Sequence, residues 1–213
     1  MNPQGLDYWR KRPLDDPKRD WDTDAENWVN DYAASLKHPH RDTLVEIIGD
    51  LFSETESLLE IGASCGPNLA RLHEAFPKLA LTGIEPSIAA NYAHELDILP
   101  GTVTDLPFED KTFDCVLCDA VLMYVGPDEI RQAFDEIDRV ARRSVILVEW
   151  RSDSVLGEIK DFHWARDYEN ILRWYGFSTA TIKITPEVWP TKTWYENGYF
   201  FVARRLSPTS EIS

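Results

Sequence analysis

The chain has 213 residues and a formal net charge of −15, from 22 Lys and Arg against 37 Asp and Glu, with a pI near 4.7. With 43% hydrophobic and 28% charged residues it can bury a core, which excludes a disordered or fibrous protein. The negative field repels polyanions, so neither nucleic acid nor an acidic membrane surface is expected as a partner.

No apolar run approaches the roughly 18 residues of a membrane helix, and residues 1–20 carry charges and prolines where a secretory leader needs apolar residues. A cytoplasmic protein is expected. Cys65, Cys115 and Cys118 are too few for a disulfide framework, in keeping with a reducing compartment.

One domain spanning 1–213 is expected, beginning with an arm or lid over residues 1–40. Residues 1–24 set Pro13 and Pro17 among Arg10, Lys11, Arg12, Lys18 and Arg19 without an apolar period. Trp9, Trp21 and Trp28 are either lid residues over a ligand or packing for an N-terminal helix. His38-Pro39-His40 offers two imidazoles, but no nearby Cys or carboxylate completes a zinc spacing, so a polar start to a helix is expected, and no metal. From Arg41 onward Leu44, Ile47, Ile48 and Leu51 recur at i, i+3, i+4 and i+7, one face of a helix.

The core, 41–150, then alternates short apolar strands (57–61, 80–85, 101–103, 113–118, 144–150) with helices (68–76, 87–96, 128–140), the pattern of βαβ units. CVLC and SVILVEW are continuous apolar runs of the kind that parallel strands covered on both faces require. Residues 151–213 read as a substrate-side insertion, a helix at 168–174 and a closing antiparallel pair at 178–185 and 199–205. The expected fold is a Rossmann-like doubly wound α/β sheet, mostly parallel with an antiparallel edge strand and helices on both faces.

Between the first strand and its helix lies Gly62-Ala63-Ser64-Cys65-Gly66-Pro67, at the strand ends where such sheets bind ligands. A dinucleotide loop needs G-x-G-x-x-G; here Ser64 and Pro67 take the second and third glycine positions, and Pro67 has no N–H to offer a phosphate. The turn suits a cofactor without phosphate: Gly62 and Gly66 allow close backbone approach, while Glu60 and Glu85 supply acceptors for a ribose diol and for positive charge. A branched side chain at Gly62 is expected to fill the ligand's space.

With Glu60-Ile61-Gly62-Ala63-Ser64-Cys65-Gly66, then LTGIEPS, then TDLPF followed by FDCVLCD, the sequence resembles the class I S-adenosylmethionine-dependent methyltransferases over roughly residues 42–150. The resemblance implies S-adenosylmethionine as cofactor, held at Glu60, Gly62, Ala63, Ser64 and Gly66. It places Glu85 and Pro86 at the ribose, Thr104, Asp105 and Leu106 at the adenine, and Cys118 and Asp119 at the methionine end. Ser64 stands where a middle glycine is usual and is expected to be extended; Tyr124 stands where related sequences often carry His.

Methyl transfer from a sulfonium is largely a matter of positioning, but an O–H or N–H acceptor must still lose a proton, for which Asp119, Tyr124 and His163 are the candidates. In FHWARDY, residues 162–168, His163 is a candidate base and Trp164 and Arg166 candidate acceptor contacts, with Arg166 paired to a substrate carboxylate; a surface ion pair beside an incidental histidine is the alternative. Cys115 and Cys118, three apart in one strand, point to opposite faces and are read as structural.

The expected activity is methylation of oxygen or nitrogen on a small polar metabolite, by a monomer or homodimer. A diffuse likeness to methylases associated with nonulosonic sugar biosynthesis hints at a sugar-pathway compound. The alternatives are a nicotinamide-dependent oxidoreductase, disfavoured by Ser64 and Pro67, and a non-catalytic subunit that keeps the fold.

Overall fold

In the computed structural model, residues 5, 9, 35–51, 53, 55–86, 96–160 and 162–206 are described. Helix α1 (His40–Leu51) buries Leu44, Ile47, Ile48 and Leu51, the face its spacing predicts. It packs with Leu58, Leu69 and Leu72 on one side of a sheet. The parallel strands are β1 (Ser57–Ile61), β2 (Ala80–Glu85), β3 (Asp97–Pro100), β4 (Phe113–Asp119) and β5 (Ala141–Trp150). Helix α2 (Pro67–Ala75) follows β1, and α3 (Ile130–Val140) precedes β5 and buries Ile130, Ala133, Phe134, Ile137 and Val140.

After β5 come a small hairpin, β6 (Glu158–Lys160) with β7 (His163–Ala165), then α4 (Tyr168–Trp174), β8 (Phe177–Lys183), α5 (Lys192–Asn197) and β9 (Gly198–Arg205). The seven-stranded order is β3-β2-β1-β4-β5-β9-β8, with β9 antiparallel to both β5 and β8. Connections leave β1 toward β2 on one side and reach β4 on the other, so a ligand crevice opens at the carboxyl ends of β1 and β4. Every residue of β4 except Asp119 is buried, and Cys115 and Cys118 fall in the apolar clusters on opposite faces.

The structure moves one expected strand and adds elements that the sequence did not announce. The third strand is Asp97–Pro100, not 101–103. It is a sheet edge, where Pro100 costs no ladder bond, and Thr102 instead bridges Asp105 in the turn beyond. The β6–β7 hairpin and the six-residue α5 have no apolar period long enough to announce them. The helix expected at 87–96 lies, except for Leu96, outside the described residues, as do Trp21, Trp28 and all of the arm before residue 35 but Gly5 and Trp9. Among the described residues no helix is long and apolar enough to cross a membrane.

Candidate functional site

The turn after β1 uses three left-handed residues, Gly62 (φ 74), Ser64 (φ 51) and Gly66 (φ 81). Ser64 is therefore not extended as expected. It occupies the conformation that makes a glycine usual there, at a cost on the order of 1 kcal/mol. The N–H groups of Gly62 and Ala63 donate to the Ile84 carbonyl at 2.7 and 2.9 Å, tying the turn to β2. Ser64 N–H donates to Glu85 Oε2 at 2.9 Å, so the strand-end carboxylate closes the loop from the far side. A Cβ on Gly62 would lie 2.3 Å from Val121 Cγ2. A side chain there meets the protein's own turn after β4 before it meets any ligand, which corrects the expectation above.

Pro67 opens α2 with its missing N–H at a position that needs none, and the next residue, Asn68, points back into the crevice. Its Nδ2 donates to Glu60 Oε1 at 2.7 Å and to Asp119 Oδ2 at 2.8 Å. His40 Nε2 reaches the same Asp119 oxygen at 2.8 Å from the start of α1. The remaining oxygens of these groups, Glu60 Oε2, Asn68 Oδ1 and Asp119 Oδ1, are buried without a hydrogen-bond partner among the described residues. Such atoms are costly unless a donor arrives.

Burial pushes the Glu60 carboxyl up to about 8 against the pull of the Asn68 amide, so it holds a proton at neutral pH. Burial opposes the charge on Asp119 too, yet His40, Arg41 and Asn68 hold it below the ordinary carboxylate range. His38 faces His40 with Nδ1 2.5 Å from Nδ1, and burial together with His40 and Arg41 holds it neutral, at about 4.

The turn at 102–106 is pinned from α3. Gln132 Nε2 donates to the Thr104 carbonyl, Leu106 N–H to Glu136 Oε2, and Arg139 Nη2 to the Leu106 carbonyl, all at 2.8–2.9 Å. Thr104 is buried and Asp105 exposed at the tip; Pro86 forms a half-buried bend just past Glu85.

On the β4 side, Leu122–Tyr124 form a single 3-10 turn. Glu149 Oε1 accepts the N–H groups of Val121 and Leu122 at 2.8 and 2.7 Å, and Oε2 accepts that of Met123 at 3.1 Å. Arg166 Nη1 donates to the Leu122 carbonyl at 2.8 Å and Nη2 to the Val125 carbonyl. The buried Glu149 carboxyl, which burial pushes up to about 8 against the pull of those N–H groups, thus caps one end of the turn and the buried Arg166 guanidinium the other. Arg166 is 0% exposed, so it does not face an acceptor as expected; it holds the wall. Trp164 lies over that guanidinium, its ring centre 5.4 Å from Cζ.

Tyr124 and His163 do come together, ring centres 5.1 Å apart, and His163 also meets Trp150 at 5.0 Å, while Trp9 packs edge-on against Tyr124 at 4.8 Å. Cys118 does not join the Glu60–Asp119 cluster. It packs in the opposite-face core, where burial pushes its thiol far up. Sequence reasoning missed three residues: His40, Asn68 and Glu149. For Glu149 a signal existed, an isolated acid inside SVILVEW, since a charge in a buried strand implies partners. Among the described residues there is no group of His, Cys, Asp and Glu that could hold a metal.

Residues 59–148 match the family model described as a methyltransferase domain. No curated protein matches the chain. Among solved structures it is similar to magnesium protoporphyrin IX methyltransferase from Synechocystis PCC 6803 with bound SAM, at 18% identity, 94% coverage of each chain and a TM-score of 0.64. It is also similar to 1,6-didemethyltoxoflavin-N1-methyltransferase from Burkholderia thailandensis with bound 1,6-didemethyltoxoflavin and S-adenosylhomocysteine, at 14% identity, 85% and 87% coverage and a TM-score of 0.62. A possible histamine N-methyltransferase from Thermotoga maritima matches at 20% identity, 85% and 95% coverage and a TM-score of 0.57.

Proposed function

Starting from a class I methyltransferase fold with a methyltransferase domain at residues 59–148, we propose that this protein transfers a methyl group from S-adenosylmethionine to an oxygen or nitrogen of a small-molecule acceptor. The observation that carries the reading is the trio of buried, unpartnered oxygens on Glu60, Asn68 and Asp119 beside the left-handed turn. A primary ammonium brings three N–H donors and a positive charge, the complement of that trio once Glu60 gives up its proton, and the amino-acid end of the cofactor carries one. A nicotinamide dinucleotide would instead bring a pyrophosphate to two carboxylates and a proline nitrogen without a proton.

Glu60, Asn68 and Asp119 would hold the ammonium. Glu85, whose Oε2 accepts from Ser64 N–H at the end of β2, would receive the ribose hydroxyls, and exposed Asp105 is available to the adenine amino group. When bound, the sulfonium supplies an already activated methyl group for in-line displacement. The chain's own residues then orient and deprotonate the acceptor. Tyr124 and His163, in ring contact beyond the β4 end, are the groups for that proton, and Asp119 serves the cofactor side through its bonds to Asn68 and His40. The net charge of −15 supports a small molecule over nucleic acid as acceptor, as do two similar structures named for small-molecule substrates.

Thermal stabilisation by S-adenosylmethionine, S-adenosylhomocysteine and NAD tests the cofactor. The first two are expected to stabilise the protein by about 2.7 kcal/mol at a hundred times Kd, and NAD not at all. Labelled-methyl transfer to fractionated small metabolites tests turnover. Stabilisation by NAD alone, or binding without any methyl release, would defeat the reading.

A further inference from the structure

His40 reaches the ligand end of the sheet from outside the βαβ core, and none of the roles above is its own. It is the first residue of α1, 2% exposed, and its Nε2 meets Asp119 Oδ2 at 2.8 Å across 79 residues of sequence. Its other ring nitrogen is engaged by His38, and its ring lies against Trp189 with centres 4.4 Å apart, so the imidazole is fixed at both edges and on a face. Asp119 is thereby anchored through one oxygen, which His40 and Asn68 share, while Oδ1 stays buried and unpartnered.

Resting on the S-adenosylmethionine reading, we propose that His40 is a positioning residue of the amino-acid subsite, holding Asp119 so that its Oδ1 is presented to the ligand's ammonium beside Glu60 Oε2 and Asn68 Oδ1. A buried carboxylate oxygen without a donor is under steady pressure to rotate toward one. The second anchor on Oδ2 resists that rotation and leaves the subsite organised before the ligand arrives. Among the described residues, the groups that act on Asp119 include Asn68 from α2, Glu60 from β1, Glu149 from β5, His38 just before α1, and His40 and Arg41 from α1. His40 and Asn68 bond to it directly. Losing His40 leaves a carboxylate with one anchor, and one that burial then drives toward protonation.

The test compares calorimetric affinities of the full chain for S-adenosylhomocysteine, which carries the amino-acid end, and for 5′-methylthioadenosine, which has the same nucleoside and thioether without it. His40→Leu is expected to weaken S-adenosylhomocysteine about ten- to a hundredfold while leaving methylthioadenosine within about twofold of wild type. His40→Gln, whose amide N–H can replace Nε2–H, restores most of the loss. If His40→Leu does not fold, His40→Asn, too short to reach Asp119, is compared with His40→Gln on the same two ligands. Unchanged S-adenosylhomocysteine affinity, a parallel loss of both ligands, or a Gln variant no better than Leu or Asn overturns the role of His40. A wild-type protein that binds neither ligand overturns the cofactor reading beneath it, and the inference with it.

Discussion

The turn after β1 takes its shape from left-handed residues of its own, Gly62, Ser64 and Gly66, and is tied to Ile84 and Glu85 on the neighbouring strand, whereas the turn after β4 hangs from Glu149 and Arg166, which bond Leu122 from 27 and 44 residues downstream. The first is set by backbone conformation and held by one adjacent strand end. The second is a short segment with two hydrogen bonds of its own, Tyr124 N–H to Val121 and Val125 N–H to Leu122, that otherwise rests on the buried Glu149 and Arg166 brought to it by the sheet and the β6–β7 hairpin. The two meet where Val121 takes the space a Cβ on Gly62 would need, so a change on one side is felt on the other.

The largest effect should come from removing the far-sequence support. Glu149→Leu strands three buried N–H groups and is expected to cost about 3–5 kcal/mol of stability in urea denaturation. A loss under about 1 kcal/mol would mean that the turn holds itself, and the contrast drawn above would fail. Arg166→Met should cost less, since under-satisfied carbonyls are tolerated better than N–H groups. Its effect should fall on stability rather than on acceptor KM.

Next is the point of contact. Gly62→Ala puts a Cβ against Val121 in a left-handed backbone and should destabilise by about 2–3 kcal/mol. Adding Val121→Ala should recover the steric part and leave about 1 kcal/mol of backbone strain. A double variant no more stable than Gly62→Ala would show that the two turns are not coupled there.

The pH dependence of ligand binding separates the two sides by charge. Glu60, at about 8 in the free protein, must lose its proton to pair with an ammonium. S-adenosylhomocysteine affinity is therefore expected to rise from pH 6 toward pH 8, by at most about tenfold per unit, and to level off above. Glu60→Gln should flatten that slope, whereas Glu149→Leu, if it folds, should keep it. A flat profile in the wild type would place the titrating carboxyl elsewhere.

The smallest effect is expected at Ser64. Ser64→Gly relieves a left-handed side-chain penalty at some entropic cost, for a net gain of about 0.5 kcal/mol. The N–H bond to Glu85 survives, so S-adenosylhomocysteine affinity should hold. A loss of stability would show that the serine hydroxyl supports the turn.

Much of this fold is legible in contiguous residues. The spacing of Leu44, Ile47, Ile48 and Leu51 predicts the buried face of α1, and the apolar runs of β4 and β5 predict strands covered on both sides. Pro100 and Gly101 obscured the third strand because an edge strand tolerates residues that a central one rejects. Arg166 shows the opposite failure. An arginine among aromatics reads as a ligand clamp, and only the chain reversal through β6 and β7 turns it inward onto the carbonyls of residues 122 and 125.

Contiguous residues carry the βαβ order, the glycine turn at the carboxyl end of β1, and the Ser64 and Pro67 that stand at two glycine positions of a dinucleotide loop. Each is written in adjacent residues, because backbone conformation and strand burial depend on near neighbours and on periodicity. Tertiary packing alone brings together the polar groups that meet: His40 with Asp119, Asn68 with both Glu60 and Asp119, and Glu149 and Arg166 at the two ends of one turn. A buried polar side chain takes whatever partner the strand order sets beside it, and that order places β1 against β4 and brings α1 across their ends.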